Sequence, residues 1–316
     1  MDLRENTRAV VAMMAAMLAF IANDSIVKLI ADRLPLGEIM FVRGCMAIVI
    51  VLAIAHFTDQ LREFRHIVHW TVPTRAFGEV AATVLYLTAL FNMPIANATA
   101  ILQALPLMVT AGAAIFLGMP VGWRRWTAIA IGFAGVLLIV RPGVAGFNLY
   151  SLVALFGVVF MAMRDLVTRG MPKVVPTLGV TLATLVGVAL TGLALSATET
   201  WIMPPASDLA LLAFAAVSIN IGFVCLIFSM RTGDVTFVAP FRYSMIVWAI
   251  LLGYAVWGDV PDALTLAGTF VVVASGIYSF FRERSLALAG TRPVPSHGTG
   301  RPMEPSAVVV EGDETT

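Results

Sequence analysis

Charge is what this sequence has least of. Asp, Glu, Lys and Arg make up 12% of it, about half the ~25% usual in soluble domains. A water-facing surface cannot be assembled from so few ionisable groups. Cysteine is nearly absent as well: Cys45 and Cys225 both sit inside apolar runs, with no disulfide framework and no zinc-ligand spacing. There is no Gly-x-x-x-x-Gly-Lys-Ser/Thr loop and no His-Glu-x-x-His pair, so a primary ATP-driven pump and a metal hydrolase are both set aside. The four histidines, His56, His66, His69 and His297, fall at or outside the ends of apolar runs. No metal site, no cofactor and no enzyme activity is expected. Net charge is +1, and no basic run is interleaved with aromatics, which removes nucleic acid as a partner.

What is present is apolar length: 59% of the 316 residues are hydrophobic and mean hydropathy is +0.92. The runs are about 17–23 residues long, enough to cross a ~30 Å hydrocarbon core as helix. Reading runs against breakers places spans near 9–30, 36–56, 75–91, 96–118, 123–140, 149–170, 177–197, 208–230, 235–257 and 262–281. The breakers are proline and glycine, as at Pro35-Leu36-Gly37, Met93-Pro94, Gly118-Met119-Pro120, Arg141-Pro142-Gly143, Pro204-Pro205, Gly233-Asp234 and Pro261. The first run is long, contains Asp24 and has no small-x-small cleavage site, so it reads as a retained helix and not as a signal peptide.

Positive charge orients these spans. Arg4, Arg8, Arg62, Arg65, Arg75, Arg124, Arg125, Arg169, Lys173, Arg231, Arg282, Arg284, Arg292 and Arg301 collect on one side. The other side holds Arg33 and Arg141, with Lys28 near a helix end. The positive-inside rule then puts both termini in the cytoplasm of a bacterial inner-membrane protein with an even number of spans. Trp70, Trp123, Trp126, Trp201 and Trp257 lie near span ends, where an interfacial belt belongs. Residues 285–316 turn to Pro, Ser, Gly and Thr, the composition of a disordered cytoplasmic tail.

A shift of 140 residues lays Gly118 on Gly258, and one further residue lays Gly135 on Gly276. Each half then has a long helix, a glycine turn, a shorter helix and a charged exit at Arg141 or Arg282. Five spans per half is an odd number, which turns the second half upside down. The expected fold is therefore all-α and integral to the membrane: ten transmembrane helices as two inverted five-helix repeats, 9–140 and 149–284. Repeats of this type build transporters with a site at the midplane, where the halves meet. Chance likeness between two apolar stretches is the plainer reading.

Ionisable residues within spans cost several kcal/mol, about 2.5–3.5 each on translocon scales, so they mark the candidates. Asp24 and Lys28 are four apart with the acid first, a local pair or a gate. Glu79, Thr83 and Tyr86 share one helix face, lining a cavity or, for Glu79, sitting at the interface. Glu38 and Arg43 are five apart, so Arg43 seeks a distant partner or snorkels. Arg164 and Asp165 are adjacent and suit structural bridging. The strongest cluster is Ala239-Pro240-Phe241-Arg242-Tyr243-Ser244, where proline frees backbone carbonyls, Arg242 offers a hydrogen-bonding fork, and Tyr243 and Trp248 offer flat faces; its plain reading is packing. Gln103 with Pro106 and Asn220 with Ser218 are weaker, since such groups often join helices. Ala128 to Gly132, and Ala183 to Gly187 to Thr191, are small-residue spacings for packing.

Several runs together resemble the drug/metabolite transporter superfamily, in its two-repeat EamA-like branch: Asn23-Asp24-Ser25-Ile26-Val27-Lys28, Phe41-Val42-Arg43-Gly44, Ala98 to Pro106, and Gly122-Trp123-Arg124-Arg125-Trp126 leading to Gly135. Met119 departs from the acid that commonly follows that glycine, and Asp259 keeps it in the second half. Arg164 to Arg169, Ala239 to Tyr243, Val260-Pro261-Asp262 and Tyr278 to Arg284 look most like bacterial riboflavin transporters. S-adenosylmethionine uptake proteins share the Asn-Asp start and the Ala-Pro-aromatic-Arg-Tyr run. The resemblance implies riboflavin uptake by alternating access in a bed of membrane lipids, with a homodimer left open. Arg242, Tyr243, Trp248, Gln103, Tyr86 and Asn220 would bind the substrate, and Asp24, Glu79, Arg43 and Lys28 would gate or couple. S-adenosylmethionine uptake, export of amino acids, metabolites or drugs, and a non-transporting scaffold or sensor stand as alternatives.

Overall fold

A computed structural model of the chain describes residues 3–58, 69–119, 121–142, 147–172, 175–232 and 238–290. Arg62, Arg65, His66, Lys173, Gly233-Asp234, Arg292, His297, Arg301 and the tail beyond residue 290 lie outside the described residues. Within them every regular element is helical. The order is α1 (Leu3–Ile30), α2 (Leu36–Phe57), α3 (Thr71–Phe91), α4 (Ile95–Leu102), α5 (Leu105–Phe116), α6 (Trp123–Val140), α7 (Leu149–Arg169), α8 (Thr177–Ser196) and α9 (Ala206–Thr232). A 3₁₀ turn (Ala239–Tyr243) then leads into α10 (Ser244–Trp257), and α11 (Ala263–Gly290) follows. Nine spans among the described residues are long and apolar enough to cross a membrane, counting α4–α5 and the 3₁₀ turn with α10 as one each. The tenth, α3, is 21 residues long and carries Arg75 and Glu79 in its first turns.

The expected run 96–118 is not one continuous helix. Pro106 has no amide to offer the carbonyl of Leu102, and the helix breaks at Gln103–Ala104 before α5 resumes with proline in its first turn. The 3₁₀ turn is the counterpart in the second half, again at a proline, Pro240. The last helix, expected to span 262–281 with a disordered tail from residue 285, runs on to Gly290.

The chain threads back and forth between two faces. One carries the start of α1 and the end of α11 and is called here the termini face. The far face holds the turns 31–35, 92–94, 197–205 and 258–262, with residues 141–142 and 147–148. Helix α1 runs towards the far face and its counterpart α7 runs away from it, so the second five-helix repeat is inverted relative to the first.

Packing repeats the same symmetry. Helix α1 packs along α9 and α3 along α7, two pairs that exchange when the halves are swapped; α2 packs along α8, α6 along α11 and α4 against α10, pairs that map onto themselves. The self-paired crossings are lined by glycine because the backbones touch. A Cβ on Gly192 would lie 2.6 Å from the Phe41 amide nitrogen, and one on Gly268 would lie 2.6 Å from the Gly135 carbonyl oxygen.

The 140-residue shift reappears as matching caps. Gly118 at φ +62° and Gly258 at φ +71° end α5 and α10 in the left-handed region, where glycine has no Cβ to clash. Beyond each, an amide donates six residues back: Met119 to the Ala113 carbonyl at 3.2 Å and Asp259 to the Gly253 carbonyl at 3.2 Å. The departure at Met119 leaves this backbone cap intact, since only its amide is used. Trp70, Trp123, Trp126 and Trp201 are exposed near helix ends, as a belt requires, whereas Trp257 is half-buried.

Candidate functional site

Three polar clusters lie inside the helix bundle. The first joins α1, α2 and α3 towards the far face. Arg43 Nη1 donates to Asn23 Oδ1 at 2.8 Å, Asn23 Nδ2 donates to Asp24 Oδ1 at 2.9 Å, and the Tyr86 hydroxyl donates to Asp24 Oδ2 at 3.1 Å. All four side chains are buried. Arg43 thus finds its distant partner across one amide, and both Asp24 oxygens are occupied. Buried ionic groups persist only when hydrogen-bonded in this way.

Lys28 does not close the local pair with Asp24. Its ammonium donates to the Leu90 carbonyl at 2.8 Å and the Met93 carbonyl at 2.7 Å, where the end of α3 presents unpaired carbonyls and the negative end of its dipole. The same ammonium sits 5.7 Å from the ring centroid of Trp257, at the end of α10. That contact explains why Trp257 leaves the belt.

The second cluster joins α3, α7 and α8 towards the termini face. Arg164 bridges Glu79 at 2.7 Å and Asp165 at 2.9 Å, while Arg75 donates to Thr168 Oγ1 at 3.0 Å and Thr184 Oγ1 at 2.6 Å. The side chains of Glu79, Arg164 and Asp165 are 24%, 19% and 35% exposed, more open than the first cluster. The shared face of Glu79 and Tyr86 is therefore divided: the acid belongs to this cluster and the phenol to the other.

The third cluster sits where the two broken helices meet. Gln103, at the break in α4–α5, donates through Nε2 to the Tyr243 carbonyl at 3.4 Å, across 140 residues of sequence. The symmetry partners thus touch each other. Next to it Arg242 is accessible to solvent although helices surround it, with Asp165 and Arg164 within electrostatic range. The Tyr243 hydroxyl, pressed against Gly276, has no hydrogen-bond partner among the described residues, and neither has Trp248 Nε1. Unpaired buried donors are costly, about 1–3 kcal/mol each.

Asn220 stands apart: its side-chain amide donates to its own helix at the Ala216 carbonyl, 2.7 Å away. Glu38 serves the far-face turn by accepting the Ile202 amide at 3.1 Å. Sequence reasoning gave no role to Asn23, which relays Arg43 to Asp24, or to Arg75, which it treated as a loop charge. The adjacency of Asn23 to Asp24 within an apolar run, and the four-residue step from Arg75 to Glu79, were the available signals. Among the described residues no group of three or more His, Cys, Asp or Glu could hold a metal ion.

The comparisons with known proteins agree with this geometry. The EamA-like transporter family model matches residues 7–141 and again 148–281. The S-adenosylmethionine uptake transporter of Rickettsia conorii is 24% identical over 265 residues, 83% of this chain and 89% of that protein. The riboflavin transporter of Vibrio cholerae is 27% identical over 267 residues, 83% and 89%, and the pseudopaline exporter CntI of Pseudomonas aeruginosa PAO1 is 27% identical over 271 residues, 83% and 92%. A solved protein structure at 19% identity superposes with a TM-score of 0.63, covering 89% of this chain and 99% of its own length, a likeness of fold. Two matches of the same model, one on each half of a bundle whose halves pack about a pseudo-two-fold axis, place this chain in the EamA-like transporter family.

Proposed function

We propose that this multi-pass transporter imports riboflavin by alternating access, its two halves rocking about the contact between Gln103 and Tyr243. The observation that carries the reading is the state of the charges. Asp24, Glu79 and Asp165 are each engaged by a neighbour, whereas no ion pair holds the accessible Arg242 among the described residues. The charge available to cargo is positive. An uncharged molecule rich in carbonyls suits it, with Arg242 and Gln103 reaching the carbonyls and Tyr243 and Trp248 supplying flat faces and their unpaired donors. Tyr86 would meet the polar side of the cargo only after leaving Asp24.

The termini face carries Arg8, Arg75, Arg124, Arg125 and Arg282 among the described residues, against Arg33 and Arg141 at the far face. This supports assigning the termini face to the cytoplasm and Arg242 to the cytoplasmic half of the path.

Uptake of labelled riboflavin by a riboflavin auxotroph expressing the chain tests the claim. Arg242→Ala is expected to reduce uptake at least tenfold at unchanged membrane abundance. No uptake at micromolar riboflavin, with the protein verified in the membrane, overturns it. The relatives named for S-adenosylmethionine uptake give a second reading, in which Asp24 or Glu79 exchanges its present partner for a cationic cargo; labelled S-adenosylmethionine in the same cells separates the two.

A further inference from the structure

We propose that Lys28 is a latch that holds the far face shut, so that Arg242 is reached from the termini face alone. The inference uses the transporter fold and not the identity of the cargo, and a failed riboflavin assay leaves it standing.

Lys28 ties three helix ends together across the two halves: its own on α1, the carbonyls of Leu90 and Met93 closing α3, and the Trp257 ring closing α10. The far face has further ties between the halves. Asn148 Nδ2 donates to the Asn92 carbonyl at 3.2 Å, Arg33 pairs with Asp208 at 3.2 Å, and the Gly37 amide donates to Glu199 Oε2 at 2.9 Å. Asp24, Arg43 and Tyr86, directly beneath, are buried.

At the termini face the groups that cross between halves, Glu79 and Arg164, are partly exposed, and Arg242 is accessible.

Site-directed thiol labelling tests this without any substrate. In a background with Cys45→Ala and Cys225→Ala, Ser244→Cys is introduced next to Tyr243, and the protein is reconstituted in vesicles sorted by orientation through their C-terminal tail. A membrane-impermeant maleimide is expected to react from the termini face only. Adding Lys28→Met, which keeps the stem and removes the ammonium, is expected to raise far-face labelling at least tenfold, and Lys28→Arg to restore protection. Should Lys28→Met fail to fold, Trp257→Leu removes the ring contact alone and is expected to raise far-face labelling several-fold. Equal labelling from both faces before the change, or no rise in far-face labelling in the folded variants, overturns the latch.

Discussion

At the scale of single residues, the bundle handles its charges in two ways. Asp24 is surrounded by donors from its own half, Asn23 and Tyr86, whereas Glu79 depends on Arg164 from the other half. Removing Arg164 leaves two carboxylates facing each other, so Arg164→Met is expected to destabilise more than the double variant Arg164→Met with Glu79→Gln. A double-mutant cycle on thermal stability in detergent should return a coupling of about 1 kcal/mol or more. Outside the membrane spans, Asp262 accepts from the Arg141 guanidinium and from the Thr265 amide at 2.8 Å, and these hold its carboxyl well below the usual aspartate range. A lowered folded-state value means that the stabilisation is complete above an ordinary aspartate pKa of about 4 and drains away as pH falls below it. Asp262→Asn should therefore lower the melting temperature slightly at pH 7, and the gap to the parent should begin to narrow as pH falls below about 4. Sequence alone identified Asp24, Arg43 and Glu79 as unusual because charge in an apolar run is visible in one dimension. Their partners were not, since Asn23 is an ordinary polar residue and Arg164 lies 85 positions from Glu79.

At the scale of elements, glycine decides how closely helices approach. A Cβ at Gly192 meets backbone, 2.6 Å from the Phe41 nitrogen, while one at Gly222 meets the ring of Phe20, also at 2.6 Å. A backbone cannot step aside and a ring can. Gly192→Ala should thus cost about 2–3 kcal/mol, the upper part of the overpacking range, and Gly222→Ala less, read as the order of their melting temperatures in one detergent. The helices themselves were legible because a run of about 20 apolar residues bounded by proline or glycine has no other stable form in lipid. What escaped was the interior of those runs. Pro240 was read as an opening and Pro106 only as the neighbour of Gln103, yet whether a proline bends a helix or breaks it depends on which neighbour takes up the freed carbonyl, and that neighbour can belong to a different element.

At the scale of the whole molecule, the 140-residue repeat was legible through Gly118 and Gly258, and the odd number of spans per half implied the inversion. The pairing of helices was not, because packing between halves leaves no period along the chain. That pairing predicts that a chain interrupted within 143–146 still assembles when its halves are co-expressed, and that either half alone is lost to proteolysis. Co-purification of the two pieces through one affinity tag, against their separate expression, checks it.

The same pairing has a consequence for how the protein is made. Helix α1 leaves the ribosome first, but its principal neighbour α9 begins at Ala206, a wait on the order of ten to tens of seconds at common rates of synthesis. During that interval α1 to α3 are in the bilayer without their second-half neighbours. The first polar cluster draws every member, Asn23, Asp24, Arg43 and Tyr86, from the first 91 residues, so its charges can neutralise one another before the second half exists. Glu79 has Arg75 of the first half within electrostatic range but gains its ion pair only when Arg164 arrives. Its side chain is 24% exposed even in the finished bundle, so water can serve it in the meantime.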